Sequence, residues 1–351
     1  MENSVDTICQ SDVVIIGAGP AGLALGSFLH SHKIDYAIIE QDQFAGASWR
    51  KMPDHLHLIT LWKSNYLIPE DKNLFHPYHK TSATEFAAYM EELAVRKKLN
   101  IIVNCKVENI AQDRNGFTLN SSKGIVRSRI VVDCRGVFHS PFTPEYKITG
   151  IPPVIIHFKD YKNRSQLKDY KNILIVGKKL SAGQLISELS IEGKHNLFLS
   201  IRSKLAFGPP ESLLNFFLRH LDVFEKLRTF FSHNVKGDTE VPMDHSVKKI
   251  IKKCVEVLPD IDFIEGKTVV FKNGEQRQID AILFATGFTF HPARLKDDFE
   301  SAEMANLFFL GRNTQRTFAS RFIRGIREDA IILGKRIEAI LGKRDSSNKF
   351  Q

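Results

Sequence analysis

The sequence predicts an α/β protein containing two units in which a buried strand feeds a glycine turn and a helix. Three observations predict it. An uninterrupted β-branched run, Val13 to Ile16, leads into Gly17, Gly19 and Gly22. A second apolar run, Ile173 to Val176, leads into Gly177 and a helical pattern reaching Leu189. The remaining chain alternates strand-like and helix-like periods, with no low-complexity tract. A short apolar run without alternation is the pattern of a strand buried on both faces.

Composition bounds the reading. The chain has 351 residues, 43% of them hydrophobic and 25% charged, which is ample for two full-sized cores. The net charge of +9 comes from scattered Lys and Arg with only short runs, such as Lys248, Lys249, Lys252 and Lys253. No nucleic-acid motif accompanies them, so attraction to anionic substrates or cofactor phosphates is the milder reading. The first twelve residues lack a basic segment followed by an apolar core, so no signal peptide is expected. No run of about 18 apolar residues occurs, which argues against a transmembrane helix. Cys9, Cys105, Cys134 and Cys254 are far apart with no C-x-x-C, which argues against a disulfide scaffold and a dithiol redox centre. A cytoplasmic protein fits these facts.

The first unit spans Asp12 to Glu40. Gly17 permits the tight turn, Gly19 lets backbone approach a pyrophosphate, and Gly22 lets the helix pack on the strand. Pro20 and Ala21 open that helix, whose N-terminal N–H groups and dipole favour phosphate. The second strand, Tyr36 to Ile39, ends at Glu40 and Gln41. A carboxylate there accepts from a ribose 2′-hydroxyl and disfavours a 2′-phosphate. Strand, turn, helix, second strand and acid occur in register, so an adenine dinucleotide is expected here rather than a glycine turn of another kind.

Farther on, Gly46 bends the chain into Trp49 and Arg50; the indole suits packing, the guanidinium a phosphate. Leu56 to Trp62 reads as an edge strand or turn, and 64–80 as irregular loop broken by Pro69 and Pro77. Thr81 and Ser82 precede a helix, Ala83 to Lys98, with Phe86, Tyr89, Met90 and Leu93 on one face. Strands are expected at Ile101 to Val107, Gly116 to Leu119, Ile125 to Arg127 and Ile130 to Asp133. The last ends in Cys134-Arg135-Gly136, and an extended proline-containing linker follows.

In the second unit, Leu197 to Ile201 is the partner strand and ends in Arg202-Ser203-Lys204. Basic and hydroxyl groups at that point favour a 2′-phosphate, hence NADPH over NADH. The turn reads Gly177-Lys178-Lys179, with a lysine where the first unit has its second glycine. A side chain there hinders close approach to a pyrophosphate, although it can pair with one. A unit that no longer binds nucleotide is the alternative. An apolar helical stretch over 211–253 reads as a lid or domain-contact insertion, with membrane association the minor reading. A hairpin is expected from Thr268 to Phe271 and Gln278 to Leu283. A strand at Leu307 to Leu310, ending at Gly311, a helix over 318–341 and a disordered tail complete the chain.

These motifs resemble the flavin-containing monooxygenases and their Baeyer–Villiger relatives, over nearly the whole chain. The matching residues are Gly17-Ala-Gly19-Pro-Ala-Gly22, Gly46-Ala-Ser-Trp49-Arg50, His157-Phe-Lys-Asp-Tyr161 and Ala285-Thr286-Gly287-Phe288. Three positions depart: Lys179, Cys134-Arg135-Gly136 where the group has an A-T-G-like triplet, and Pro153 where it has glycine. The resemblance implies two Rossmann-like (FAD/NAD(P)-binding) domains, the second inserted into the first. An FAD domain would span 1–153 and 282–351, and an NADPH domain 154–281. It also implies that NADPH reduces FAD, that a flavin C4a-(hydro)peroxide forms with O2, and that one oxygen passes to a small N-, S- or carbonyl-containing metabolite.

By the same resemblance FAD would contact Gly17, Gly19, Pro20, Ala21, Gly22, Glu40, Gln41, Trp49, Arg50, Val107, Gly136 and Gly311. NADPH would contact Gly177, Ser181, Arg202, Ser203, Thr286 and Gly287. No catalytic side chain and no metal is expected, because the cofactor carries the chemistry. The expected partners are the small-molecule substrate and O2, with no nucleic acid, in a monomer or homodimer. The rival readings are a flavin reductase or oxidase using NAD(P)H without oxygen transfer, and an FAD-only enzyme with a degenerate second site.

Overall fold

A computed structural model describes residues 6–220, 241–289, 293–313 and 315–347. The chain divides into two compact units. The first comprises Met1–Arg50, Leu58–His139 and Phe290–Gln351; the second comprises Lys51–His57 and Ser140–Thr289.

The first unit is built on a seven-stranded sheet. Its strands are β1 (Thr7–Ile16), β2 (Tyr36–Ile39), β3 (Ile101–Ile102), β4 (Val107–Asp113), β5 (Gly116–Ser121), β6 (Gly124–Asp133) and one late strand, Leu307–Phe309. The order is β3-β2-β1-β6-β5-β4. β3, β2, β1 and β6 run parallel, and β5 and β4 return antiparallel, as the expected excursion requires. β1 is buried on both faces: Val13 and Ile15 join one core, Val14 and Ile16 another. Helix α1 (Pro20–Ser31) joins β1 to β2. Gly334, in the C-terminal helix, has no room for a Cβ, which would lie 2.3 Å from the Phe28 ring on α1.

Several sequence expectations are corrected here. The two strands expected around Ser128 are one ten-residue strand. β6 gives its first half to antiparallel β5 and its second half to parallel Leu307–Phe309. Ser128, which breaks the apolar pattern, is buried with its hydroxyl donating to Asp12 O and Ile130 O (3.1 and 2.6 Å). The stretch expected as one strand from Ile101 to Val107 is split between β3 and β4. Of the two readings for 56–62, edge strand or turn, the strand does not form. Instead Trp62–Asn65 is a helical turn, and Trp62 is fully buried against Phe75 and Tyr89. The expected loop 64–80 also holds a 3-10 turn, Pro69–Asn73, whose Asp71 accepts from Tyr89 (2.9 Å) and Arg96 (2.7 Å). The long helix, Ala83–Arg96, begins on a reciprocal cap in which Ser82 Oγ accepts from the Glu85 amide and Glu85 from the Ser82 amide. The C-terminal helix begins at Ile323, after a 3-10 turn at Phe318–Arg321, and continues to Ser347, into the tail expected to be disordered, of which 348–351 lie outside the described residues.

The second unit holds two sheets. Its strands are β7 (Lys147–Thr149), β8 (Val154–His157), β9 (Asn172–Val176), β10 (Asn196–Ser200), β11 (Val255–Leu258), β12 (Ile261–Glu265), β13 (Thr268–Phe271), β14 (Gln276–Gln278) and β15 (Ala281–Phe284). The larger sheet is parallel throughout, in the order β11-β10-β9-β15-β8. Like β1, β9 is buried on both faces, Ile173 and Ile175 on one side and Leu174 and Val176 on the other. The smaller sheet runs β14-β13-β12-β7. The expected hairpin therefore closes at β14, and Ala281–Phe284 is a separate strand of the parallel sheet. That puts the whole of β15 and residues 140–153 in the second unit, whereas the sequence reading divided the chain at 153 and 281.

Helix α2 of this unit is Leu180–Leu189. Of the expected helical insertion, Glu211–Arg219 and Val247–Cys254 are helices. Residues 221–240 lie outside the described residues. Among the described residues no helix is long and apolar enough to cross a membrane.

Candidate functional site

Each unit carries one glycine turn at the C-terminal end of its parallel strands, where ligands of open α/β sheets bind. In the first, the Gly17 amide donates to Ile39 O (2.8 Å) and the Cys134 amide to Ile16 O (2.9 Å). Gly17 has φ +103°, and a Cβ on it would lie 2.9 Å from Cys134 O. At Gly22 a Cβ would fall 1.9 Å from Gly17 O, so neither position admits a side chain. Gly19 is different. It is extended, and a Cβ there would meet nothing within 4 Å. Open space above that backbone is what a phosphate approaching the helix N-terminus requires.

Glu40, Cys134 and Gly311, far apart in sequence, converge on this turn. Glu40 is buried at the end of β2, and its carboxylate accepts from the Ala18 amide (2.6 Å) and the Asp42 amide (2.9 Å). A carboxylate can accept several hydrogen bonds at once, so a ribose hydroxyl can join these amides. Pro20, the first helical residue, has no N–H to contribute. Gly311 closes against Ala21, where a Cβ would sit 2.9 Å from the alanine methyl. Gly136 follows Cys134 in a left-handed conformation (φ +66°), with Arg135 folded back in two hydrogen bonds onto Asp133 (3.0 and 2.6 Å). Gln41 is exposed, and Val107 is buried at the start of β4. Trp49 packs edge-on against Phe86 (4.9 Å) and Phe138 (6.4 Å). Arg50 pairs with Glu91 and lies over the Phe44 ring (5.4 Å).

The second turn repeats the skeleton. The Gly177 amide donates to Ser200 O (3.1 Å) and the Ala285 amide to Val176 O (2.9 Å). Gly177 has φ +146°, and a Cβ would lie 2.4 Å from Ala285 O. Lys179, at the place of Gly19, is extended with φ −114°, a conformation open to any residue. Ala182, at the place of Gly22, is fully buried. Ser181 is half-buried in the first turn of α2.

Arg202 and Ser203 follow β10 as expected, and the structure adds partners the sequence did not reveal. Arg202 pairs with Asp260 (3.3 Å), which Lys272 also reaches (3.0 Å), while Tyr146 donates to the same carboxylate (3.2 Å). Burial opposes the Asp260 charge, but Lys272 and Arg202 outweigh it and hold the carboxyl below its ordinary value. Lys178 donates to Ser203 Oγ (2.5 Å). No local pattern marks Asp260 or Lys178.

Gly287 (φ +79°) mirrors Gly136, and the chain around it pairs with 140–142. The Phe142 amide donates to Gly287 O (2.9 Å), and Thr286 Oγ1 donates to Phe142 O. His157 also reaches Gly287 O, through Nε2 (3.1 Å), while its Nδ1 accepts from the Lys159 amide (3.1 Å). That pattern assigns the neutral ring with its proton on Nε2. Burial pushes the His157 pKa down, against the bond to Gly287, which raises it. Tyr161, one of the residues that carry the resemblance, is fully buried and donates to Glu188 (2.9 Å). His55 Nδ1 stands 2.8 Å from the same carboxylate. Among the described residues no group of His, Cys, Asp and Glu is arranged to hold a metal.

Comparison with known proteins follows from this geometry. The family described as pyridine nucleotide-disulphide oxidoreductase matches residues 14–322. A Geobacillus kaustophilus protein named uncharacterized oxidoreductase CzcO-like is 26% identical, covering 91% of this chain and 96% of its own. An Arabidopsis thaliana protein named probable indole-3-pyruvate monooxygenase YUCCA10 is 27% identical, covering 95% and 98%. The solved flavin-containing monooxygenase from Stenotrophomonas maltophilia shares the fold, with a TM-score of 0.75 at 17% identity, over 95% of this chain and all of that one. The expected α/β class and the resemblance to the flavin-containing monooxygenase group are thereby borne out.

Proposed function

The chain belongs to the pyridine nucleotide-disulphide oxidoreductase family, and on that premise we propose that it is an FAD-dependent, NADPH-using monooxygenase acting on a small N-, S- or carbonyl-containing metabolite in the cytoplasm. The observation that carries the reading is the first turn. Gly17 and Gly22 are sterically fixed, yet Gly19 faces open space, which suits a dinucleotide and serves no packing need. The residues fit FAD on chemistry as well: an acidic Glu40 at the end of β2, a helix N-terminus opened by Pro20, and Gly311 closing on Ala21.

When bound, flavin would supply hydride acceptance and the activation of O2. The protein's part is to bind and orient. The amides of the Gly17–Gly22 turn other than Pro20 would face the pyrophosphate, Glu40 and Gln41 would take the adenosine ribose, and Val107 would lie toward the adenine. Trp49, Arg50 and Gly136 would border the flavin end. In the second unit Gly177 and Ser181 would receive the NADPH pyrophosphate, and Arg202 and Ser203 the 2′-phosphate. Thr286 and Gly287 are held by Phe142 and His157. The missing C-x-x-C leaves the thiol chemistry in the family's name without a dithiol, and the four cysteines are free.

The test is a steady-state assay of purified protein with NADPH, O2 and a panel of amines, sulfides and carbonyl compounds. Indole-3-pyruvate joins the panel because of the plant relative's name. The expected result is a yellow protein whose substrate-stimulated NADPH use matches oxygenated product one to one. NADPH use that yields only hydrogen peroxide would replace this reading with the oxidase one; no use of either nicotinamide would leave an FAD-only enzyme.

A further inference from the structure

The second turn is crowded at its pyrophosphate end. A short strap, Val241 to Met243, runs along it. Val241 O accepts from the Leu180 amide (3.1 Å), and Pro242 forms an antiparallel bridge with Lys179. Met243 is fully buried and lies 3.3 Å from where a Gly183 Cβ would be. Its oxygen accepts from the Gly208 amide (2.7 Å) and its amide donates to Ala206 O (3.3 Å). The strap lies against the backbone of Lys179 and Leu180, the positions that match Gly19 and Pro20 of the first turn, where a Cβ on Gly19 would meet nothing within 4 Å.

The other end of the same site is cationic. Arg202 and Lys272 share a single carboxylate, Asp260, and beside them Lys178 donates to the neutral hydroxyl of Ser203. Ser203 follows β10 and Lys178 follows β9, so one hydrogen bond ties the turn to the position that discriminates the ribose phosphate. A dianion arriving there would find a lysine and an arginine whose charges are not cancelled one for one.

We propose that the second unit anchors its dinucleotide mainly by the adenosine 2′-phosphate, with Lys178 as a direct ligand beside Arg202 and Ser203. The pyrophosphate contributes less than in the first turn. This inference rests on the NADPH reading above and assigns where the affinity resides.

The experiment is a set of binding titrations on flavin-loaded, full-length protein with NADPH, NADH, 2′,5′-ADP and 5′-ADP. The fragment 2′,5′-ADP should bind within about tenfold of NADPH, and 5′-ADP roughly a hundredfold more weakly, as expected when charge-assisted bonds to one phosphate dominate. Lys178→Gln should cost roughly tenfold or more for NADPH and 2′,5′-ADP and leave 5′-ADP unchanged. Unchanged flavin content and melting temperature would show that the variant folds. Equal affinities for 2′,5′-ADP and 5′-ADP, or a Lys178→Gln variant with wild-type 2′,5′-ADP affinity, would overturn the anchor while NADPH oxidation still upholds the cofactor reading. Absence of both NADPH and 2′,5′-ADP binding at millimolar concentration would overturn the two together.

Discussion

In the first turn the amide after β1 donates to Ile39 O, and in the second the amide after β9 donates to Ser200 O; each turn glycine then abuts the carbonyl that ends a neighbouring parallel strand. The two turns thus share a backbone skeleton and differ in what stands over it. Gly19 faces open space, whereas Lys179 carries a side chain and lies along Pro242. Gly22 leaves no room for one extra carbon, whereas Ala182 holds one in a buried place. The difference teaches that the skeleton belongs to the βαβ fold and the open space to the ligand.

The comparison can be broken most sharply at Gly22. Gly22→Ala drives a Cβ to 1.9 Å from Gly17 O, so the turn must shift, at a cost of about 1–3 kcal/mol or more. The variant should be isolated largely without flavin, as its visible absorbance would report. The matched change, Ala182→Gly, should cost only about 0.5–1 kcal/mol in a melt and leave flavin in place. Equal damage from the two would mean that the turns do not differ as described. Next in size is Lys179→Gly, which removes the side chain hindering the pyrophosphate. It should tighten NADPH and NADH alike by up to roughly tenfold, about 1.4 kcal/mol, read as a lower KM with little change in kcat.

A smaller effect is expected from His157. Its pKa is depressed in the fold, so the unfolded chain binds the extra proton first. The stability it contributes is complete above the ordinary histidine value near 6.5 and is lost as pH falls below it. Melting temperature should therefore decline between pH 7 and 5. His157→Asn should start lower but show a flatter decline; an equally steep one would locate the dependence elsewhere, though not at Glu188, which stays ionised throughout that window. Its carboxyl is held low by His55 and Tyr161 despite burial. The smallest effect should come from Arg50→Ala. The guanidinium pairs with exposed Glu91, so stability should change by less than about 1 kcal/mol. A large loss of flavin from this variant would show that Arg50 holds phosphate as well.

What the sequence disclosed, it disclosed locally. Val13 to Ile16 and Ile173 to Val176 are β-branched, unbroken and short, so their burial on both faces could be read directly. The Ser82–Glu85 cap sits within four residues of chain and fixes where its helix begins. Pairings made at long range left no such trace. Asp260 meets Arg202 across 58 residues, and Val241 meets Leu180 across 61, with neither partner marked by its neighbours. Ser128 misled for a related reason. A polar residue normally interrupts a strand, but here its hydroxyl bonds to backbone oxygens and lets β6 continue. His157 looked ordinary because its partner, Gly287 O, lies 130 residues away.

Gly17 and Gly177 carry one more implication, for how such a chain can change over time. Each is held in place by a neighbouring strand's carbonyl, whether or not a nucleotide ever visits. A lineage that abandoned the second cofactor would still have to keep Gly177, while the position now held by Lys179 would be free to drift. The first glycine of such a fingerprint therefore records ancestry of the fold, and the second records how closely a pyrophosphate is brought to the backbone.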